Sequence, residues 1–257
     1  MQFSAAQQSY QHSGIESNNI DNVDSMAAMA HRGKSLPGIP SFDSHSSKRQ
    51  WQLEHMAGAF RVFARNGYAE GISGHISVRD PEFENRFWIN PLGVHFGMLK
   101  ASDMICVTLN GDVVAGNMAG SINAAGFQIH SAVHRSRKDV HAICHTHSIH
   151  GRAWSAFGKP LEMINQDVCY FYKAHSVYSD YGGIANESSE GQRIAESLAD
   201  GKAVILLNHG LLTVEENVSE KEAAYNFKMA STPETLFAEF QPDYQYEEYL
   251  SGNTFKS

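Results

Sequence analysis

The sequence predicts an α/β domain built in layers. Two observations carry that class. Apolar runs of strand length, Val140–Cys144 and Ala203–Leu207, alternate along the chain with segments whose apolar residues recur at helical spacing. Turn signals rich in Gly, Asn and Pro separate the segments.

The 257 residues are enough to bury a sizeable core and fit one large domain with extensions. Residues 1–46 are rich in Ser, Asn, Gln and His and are expected to form a disordered or extended arm. Residues 47–230 carry the periodic pattern and are expected to form the domain. Residues 231–257 are expected to form an acidic C-terminal tail. The net charge of −8 argues against nucleic-acid or anionic-membrane partners. The three cysteines form no C-x-x-C pair and no disulfide framework, as in a reducing compartment. No apolar run approaches the ~18 residues of a membrane span, and the polar start lacks the apolar core of a signal peptide. A cytoplasmic protein is expected.

From Ser47 to Asn66, Trp51, Leu53, Met56, Ala57, Phe60, Val62 and Phe63 recur near helical spacing, and Gly67 ends the helix. Glu70–Arg79 reads as a glycine-bearing turn followed by a strand, and such a loop can offer backbone N–H groups to an anion. Phe87–Ile89 is a short strand, and Asn90-Pro91-Leu92-Gly93 a turn. Met104–Leu109 is a strand that returns through Asn110-Gly111, a hairpin signal. Ala124–Arg137 reads as a helix on which His130 and His134 share a face. A strand from Val140 and a helix from His150 follow.

Leu161–Tyr178 is aromatic and partly strand-like. There Asp167, Tyr170, Tyr172 and His175 form a pool of acids and bases, or else pack as core. Tyr181-Gly182-Gly183 reads as a turn, and Ser188–Leu198 as a helix. Next come the strand ending at His209 and a strand over Leu211–Val214. A capped helix spans Ser219–Met229, interrupted at Thr232-Pro233.

Chemistry concentrates at Cys144-His145-Thr146-His147-Ser148. Two histidines two apart on a strand point to one face. His209 stands at the end of a second buried run. A third imidazole there would complete a three-histidine metal site with an open position, as catalytic metals require. In a chain with 14 histidines, spacing alone also allows a plain buried or solvated pair.

Several motifs occur in one order: Gly74-His75-Ile76-Ser77-Val78-Arg79, Asn90-Pro91-Leu92-Gly93, Ala125-Gly126-Phe127 with His130, Arg137-Lys138-Asp139-Val140, His145-Thr146-His147-Ser148 and Asn208-His209-Gly210-Leu211. This set resembles the class II aldolase and adducin head-domain family, in its adducin-like branch, over about residues 48–230. The resemblance implies a three-layer α/β/α fold around a mostly antiparallel sheet, commonly in homotetramers. It implies a divalent metal on His145, His147 and His209, with Zn²⁺ first and Fe²⁺ the alternative, and a substrate-binding region at Gly74, His75, Asn90 and Gly93.

The family's sugar-phosphate aldolases carry a glutamate base at the position of Gly126. They carry hydroxyl side chains where Ala124 and Ala125 stand, and an asparagine where His75 stands. These departures imply a small-molecule substrate other than a simple sugar phosphate. The expected function is a metal-dependent, aldolase-like lyase acting on a small carbonyl or hydroxy-acid metabolite. The alternatives are an Fe(II) oxygenase or decarboxylase on the same scaffold, and a non-catalytic adducin-like interaction domain.

Overall fold

A computed structural model describes residues 38–180, 188–216 and 233–257. Residues 1–37 of the arm expected over 1–46, the turn at Tyr181–Gly183 and the helix at Ser219–Met229 lie outside the described residues. The elements run α1 (His45–Arg65), β1 (His75–Arg79), β2 (Arg86–Ile89), β3 (Ile105–Thr108), β4 (Val113–Gly116), α2 (Ala124–Ser136), β5 (Val140–Thr146) and α3 (Ile149–Ser155). They continue with β6 (His175–Tyr178), α4 (Ser188–Leu198), β7 (Ala203–Leu206), β8 (Gly210–Glu216) and α5 (Pro233–Ser251).

The strands form one eight-stranded sheet in the order β4-β3-β2-β1-β5-β8-β7-β6. Every pairing is antiparallel except β6 with β7. The chain therefore has the three-layer, mostly antiparallel architecture that the resemblance implies, with helices on both faces of the sheet.

Alternation along the strands sorts the two faces. On β1, Ile76 joins a core with Phe60 of α1 and with Phe96, Leu99 and Met104. His75 and Ser77 point the other way, onto His130 and His134 of α2. That second face is closed by Ile129 and Val133 of α2, Ile194 and Leu198 of α4, and Ile143, Val204 and Leu212 of the sheet. Helices α2 and α4 touch at Gly191, where a Cβ would stand 2.3 Å from the Gln128 carbonyl oxygen.

Buried charges lock strand ends to helix ends. Asp80, just after β1, accepts from Arg49 of α1, from the Trp88 indole and from the backbone N–H groups of Glu82 and Phe83. Arg79 is 5% exposed, and its guanidinium donates to the carbonyls of Val140, Glu84, His134 and Arg137. It thereby neutralises the carbonyl-rich end of α2.

Residues 231–257 are not simply an acidic tail. Pro233 opens α5, a position where its missing N–H costs nothing. The helix packs on α1: Tyr244 stacks on His55 at 4.3 Å and 10° and meets Phe255 edge-on. Glu247, 3% exposed, takes the guanidinium groups of both Arg61 and Arg65. The acidic composition concealed this face because one of its acids is a buried partner for two arginines.

Candidate metal centre

Strand pairing brings the three candidate histidines together. Strand β5 pairs with β8 through His145↔Leu212 and Thr146↔Leu211. Strand β7 turns into β8 across Leu206↔Gly210, so the turn carrying His209 lies beside the end of β5. The turn is tight. Asn208 adopts φ 56, a left-handed conformation that asparagine tolerates. At Gly210 a Cβ would stand 2.6 Å from the Thr146 carbonyl oxygen and 3.4 Å from the His147 ring, so no side chain fits. Beyond His147 the chain enters α3, whose first turn is capped by Ser148 accepting from the Gly151 N–H.

One ring nitrogen from each of His145, His147 and His209 lies within 4.8 Å of the others. The ring centroids are 4.8–4.9 Å apart, each pair meeting edge to face. His145 Nδ1 donates to the Leu211 carbonyl at 3.0 Å, which leaves a lone pair on Nε2. That Nε2 stands 3.0 Å from His147 Nε2. Two ligand nitrogens on a tetrahedral zinc at ~2.0–2.1 Å would stand about 3.3 Å apart, close to this spacing. Burial lowers the pKa of all three rings, that of His209 to about 4, so their lone pairs are available near neutrality. The backbone bond that orients His145 is the kind that fixes the tautomer of a metal-binding histidine. The residues fit a divalent cation.

The other expected residues divide. Gly74, Asn90 and Gly93 line one small crevice with Gly71 and Asn123. Gly74 has φ 86, and a Cβ there would stand 3.1 Å from the His145 carbonyl oxygen, so the glycine turn is pressed against β5. His75 does not line that crevice. It is 4% exposed and stacks on His145 at 4.9 Å and 27°.

The acid–base pool goes elsewhere. His175 opens β6 at the sheet edge with both nitrogens committed: Nδ1 donates to the Phe171 carbonyl at 2.7 Å, and Nε2 accepts from the Leu161 N–H at 2.8 Å. The Tyr170 hydroxyl donates to Glu239 of α5. Tyr172 lies 42% exposed under the Lys173 ammonium, and Asp167 is exposed at the start of a 3₁₀ turn. In this structure His175 is bonded through both ring nitrogens, while Tyr170 and Tyr172 meet Glu239 and Lys173. Glu70, paired with Arg152 at 3.0 Å, is the carboxylate that acts electrostatically on His147; it was read from the sequence only as part of a turn.

The model of the Class II Aldolase and Adducin N-terminal domain matches residues 54–231. The chain belongs to that family. It is 48% identical over 190 residues to the Meiotically up-regulated gene 14 protein of Schizosaccharomyces pombe, covering 74% of this chain and 73% of the relative. It is 40% identical over 197 residues to the 4-hydroxy-3-prenylphenylpyruvate oxygenase/4-hydroxy-3-prenylbenzoate synthase of Streptomyces roseochromogenus, covering 75% of this chain and 69% of that protein. Among solved structures, L-fuculose 1-phosphate aldolase from Glaciozyma antarctica superposes with a TM-score of 0.75 at 35% identity, covering 85% of this chain and 97% of the aldolase. No helix among the described residues is long and apolar enough to cross a membrane.

Proposed function

We propose that the chain is a metal-dependent lyase of class II aldolase type that acts on a small carbonyl or hydroxy-acid metabolite, cleaving the bond between the carbons α and β to a carbonyl. The observation that carries this reading is the convergence of three neutral imidazole nitrogens within 4.8 Å at the ends of β5 and β7. His145, His147 and His209 would hold the metal. Zn²⁺ is the first expectation and Fe²⁺ the alternative, since three imidazoles suit both. When bound, the metal supplies Lewis-acid stabilisation of the negative charge that develops on a substrate oxygen.

The chain's own residues set the rest. Gly74, Asn90 and Gly93 line the crevice proposed as part of the substrate-binding region. A sugar phosphate is disfavoured, because Ala124 and Ala125 bring no hydroxyl and Gly126 brings no carboxylate. In addition, the His75 ring is bonded to His130, turned inward from the crevice where a phosphate would lie. By the same family resemblance the enzyme is proposed to work as a homotetramer in the cytoplasm.

A second reading has its own support. The Streptomyces relative at 40% identity is named an oxygenase, and Decarboxylase NovR of Streptomyces niveus is 39% identical over 196 residues. Oxidative decarboxylation of a 2-oxo acid on an Fe²⁺ form would use the same three histidines. The test is metal analysis followed by assay. Metal bound near one per chain, with no tight binding of dihydroxyacetone phosphate, supports the proposal. Tight metal-linked binding of that phosphate contradicts the substrate class. Oxygen consumption with Fe²⁺ but not Zn²⁺ selects the second reading. A fully folded chain that takes up no metal is an adducin-like interaction domain.

A further inference from the structure

Several arginines are locked into the fold. Arg79 spends its donors on backbone carbonyls, Arg61 and Arg65 meet the buried Glu247, and Arg49 meets the buried Asp80. Arg152 is placed differently. It lies on α3, five residues after His147. Its backbone N–H donates to the Ser148 carbonyl at 2.8 Å, so it stands one helical turn from the histidine pair. Helix α3 is pressed against β8, since a Cβ on Gly151 would stand 2.9 Å from Leu211 Cδ1. The carbonyl of the same Leu211 accepts from His145.

The partner of the Arg152 side chain is Glu70. Nη1 donates to the carboxylate, 3.1 Å from Oε1 and 3.0 Å from Oε2. Glu70 opens the glycine turn, where its carbonyl accepts from the Ser73 N–H, and Gly71, Ile72 and Gly74 of that turn line the crevice. The pair therefore ties α3 to the glycine turn, the two segments that flank His145 and His147. Both charges act on the His147 ring, as their position beside it requires. The two side chains are 44% and 52% exposed, and an ion pair so exposed adds little to stability. What it does is hold the guanidinium beside the candidate centre.

A guanidinium carries N–H donors on all three nitrogens, and its Nε–Nη2 edge matches the paired oxygens of a carboxylate. Glu70 takes Nη1. Among the described residues, no acceptor meets Nε or Nη2. An oriented, solvent-exposed fork thus stands next to a centre whose His147 and His209 are themselves only half-buried.

We propose that Arg152, held at Nη1 by Glu70, is a specificity-determining residue that receives the carboxylate of the substrate on its Nε–Nη2 edge while the reacting end faces the three histidines. The substrate class is then an organic acid. A hydroxy or oxo acid fills the fork, and a neutral carbonyl compound leaves it empty. This role rests on the metal-enzyme reading, which makes the three histidines the substrate's anchor.

The test is calorimetric titration of the zinc-loaded full chain, with metal content measured on every sample. Glycolate and glycolamide are the probes, alike in size and different in charge, and methyl phosphate is the competing anion. Wild type should bind glycolate, and methyl phosphate no more tightly than glycolate. Arg152→Gln should weaken glycolate about tenfold, the value of a charge-assisted contact, and glycolamide less than about twofold, with metal content unchanged. Arg152→Lys keeps the charge without the fork and should recover only part of the glycolate loss. It also carries the test, as a selective loss of glycolate binding of about threefold, if Arg152→Gln does not fold. Glycolate binding that is absent from metal-loaded wild type or unchanged in Arg152→Gln would overturn the proposal. So would equal weakening of glycolate and glycolamide, full recovery in Arg152→Lys, or methyl phosphate bound more tightly than glycolate. A wild type that takes up no metal overturns the metal-enzyme reading and this role with it. About one metal per chain, with a charge preference indifferent to Arg152, overturns this role alone.

Discussion

Single side chains make the sharpest claims. His145→Ala removes a proposed metal ligand whose orientation is fixed by the Leu211 carbonyl. Loss of an orienting partner alone costs 10–100-fold in metal affinity, so loss of the ligand should weaken binding by more than about 100-fold. The fold should persist, because the three rings cluster at strand ends rather than in the main hydrophobic cores; equilibrium dialysis and circular dichroism check both halves.

Asp80 makes a pH prediction. Burial alone would raise its pKa, but the bonds from Arg49, Trp88 and two backbone N–H groups outweigh burial and hold it at about 2. Its stabilising contribution is therefore complete above the ordinary carboxylate pKa of about 4 and is lost as pH falls toward 2. Asp80→Ala leaves buried donors without an acceptor and should cost about 2–4 kcal/mol at pH 7. By urea titration, the gap between wild type and Asp80→Ala should shrink between pH 4 and 2. A gap that stays constant contradicts the assignment.

The histidine cluster was half legible in the sequence. His145 and His147 announced themselves by spacing, and His209 by its place at the end of an apolar run. The bonded row of His75, His130, Ser77 and His134 was not. Only the pair His130 and His134 had a periodic signal, and their partners lie 53–57 residues away on β1.

At the scale of elements, apolar periodicity placed α1, α2, α4 and most strands within a few residues of their observed limits, whereas β6 was only part of a longer aromatic segment, Leu161–Tyr178. It failed where tertiary contacts decide. Helix α5 carries a proline at 242 and many acids, and its buried face is defined by α1. The sequence does not show that both ring nitrogens of His175, an acid–base candidate, are bonded to the backbone.

Gly58 tests the α1–α5 contact. A Cβ there would stand 2.4 Å from the Tyr244 ring. Gly58→Ala should gain up to about 1 kcal/mol in helix propensity, yet lose about 1–3 kcal/mol by overpacking. A net fall in thermal stability is expected, with faster amide exchange over 233–251. A rise in stability, with exchange unchanged, would show that the contact is loose.

At the scale of the molecule, one sheet carries two helical layers, and the candidate centre opens at the ends of its middle strands. The fold was readable because ordered motifs, each weak alone, agree with one topology. Assembly was readable only through family resemblance. Light scattering should give a mass near four times 28.4 kDa, and a monomer at micromolar concentration would contradict the tetramer. Tyr249 and Leu250 of α5, 81% and 46% exposed, are apolar surface available for such contacts.

The central claim is that His145, His147 and His209 hold a metal. The most direct measurement is elemental analysis of protein purified without chelator or added metal, beside the His145→Ala/His147→Ala variant. About one zinc or iron per chain, lost from a variant that remains folded, is the predicted result. Equal metal in both samples, or none in the wild type even after titration with Zn²⁺ and Fe²⁺, would contradict it.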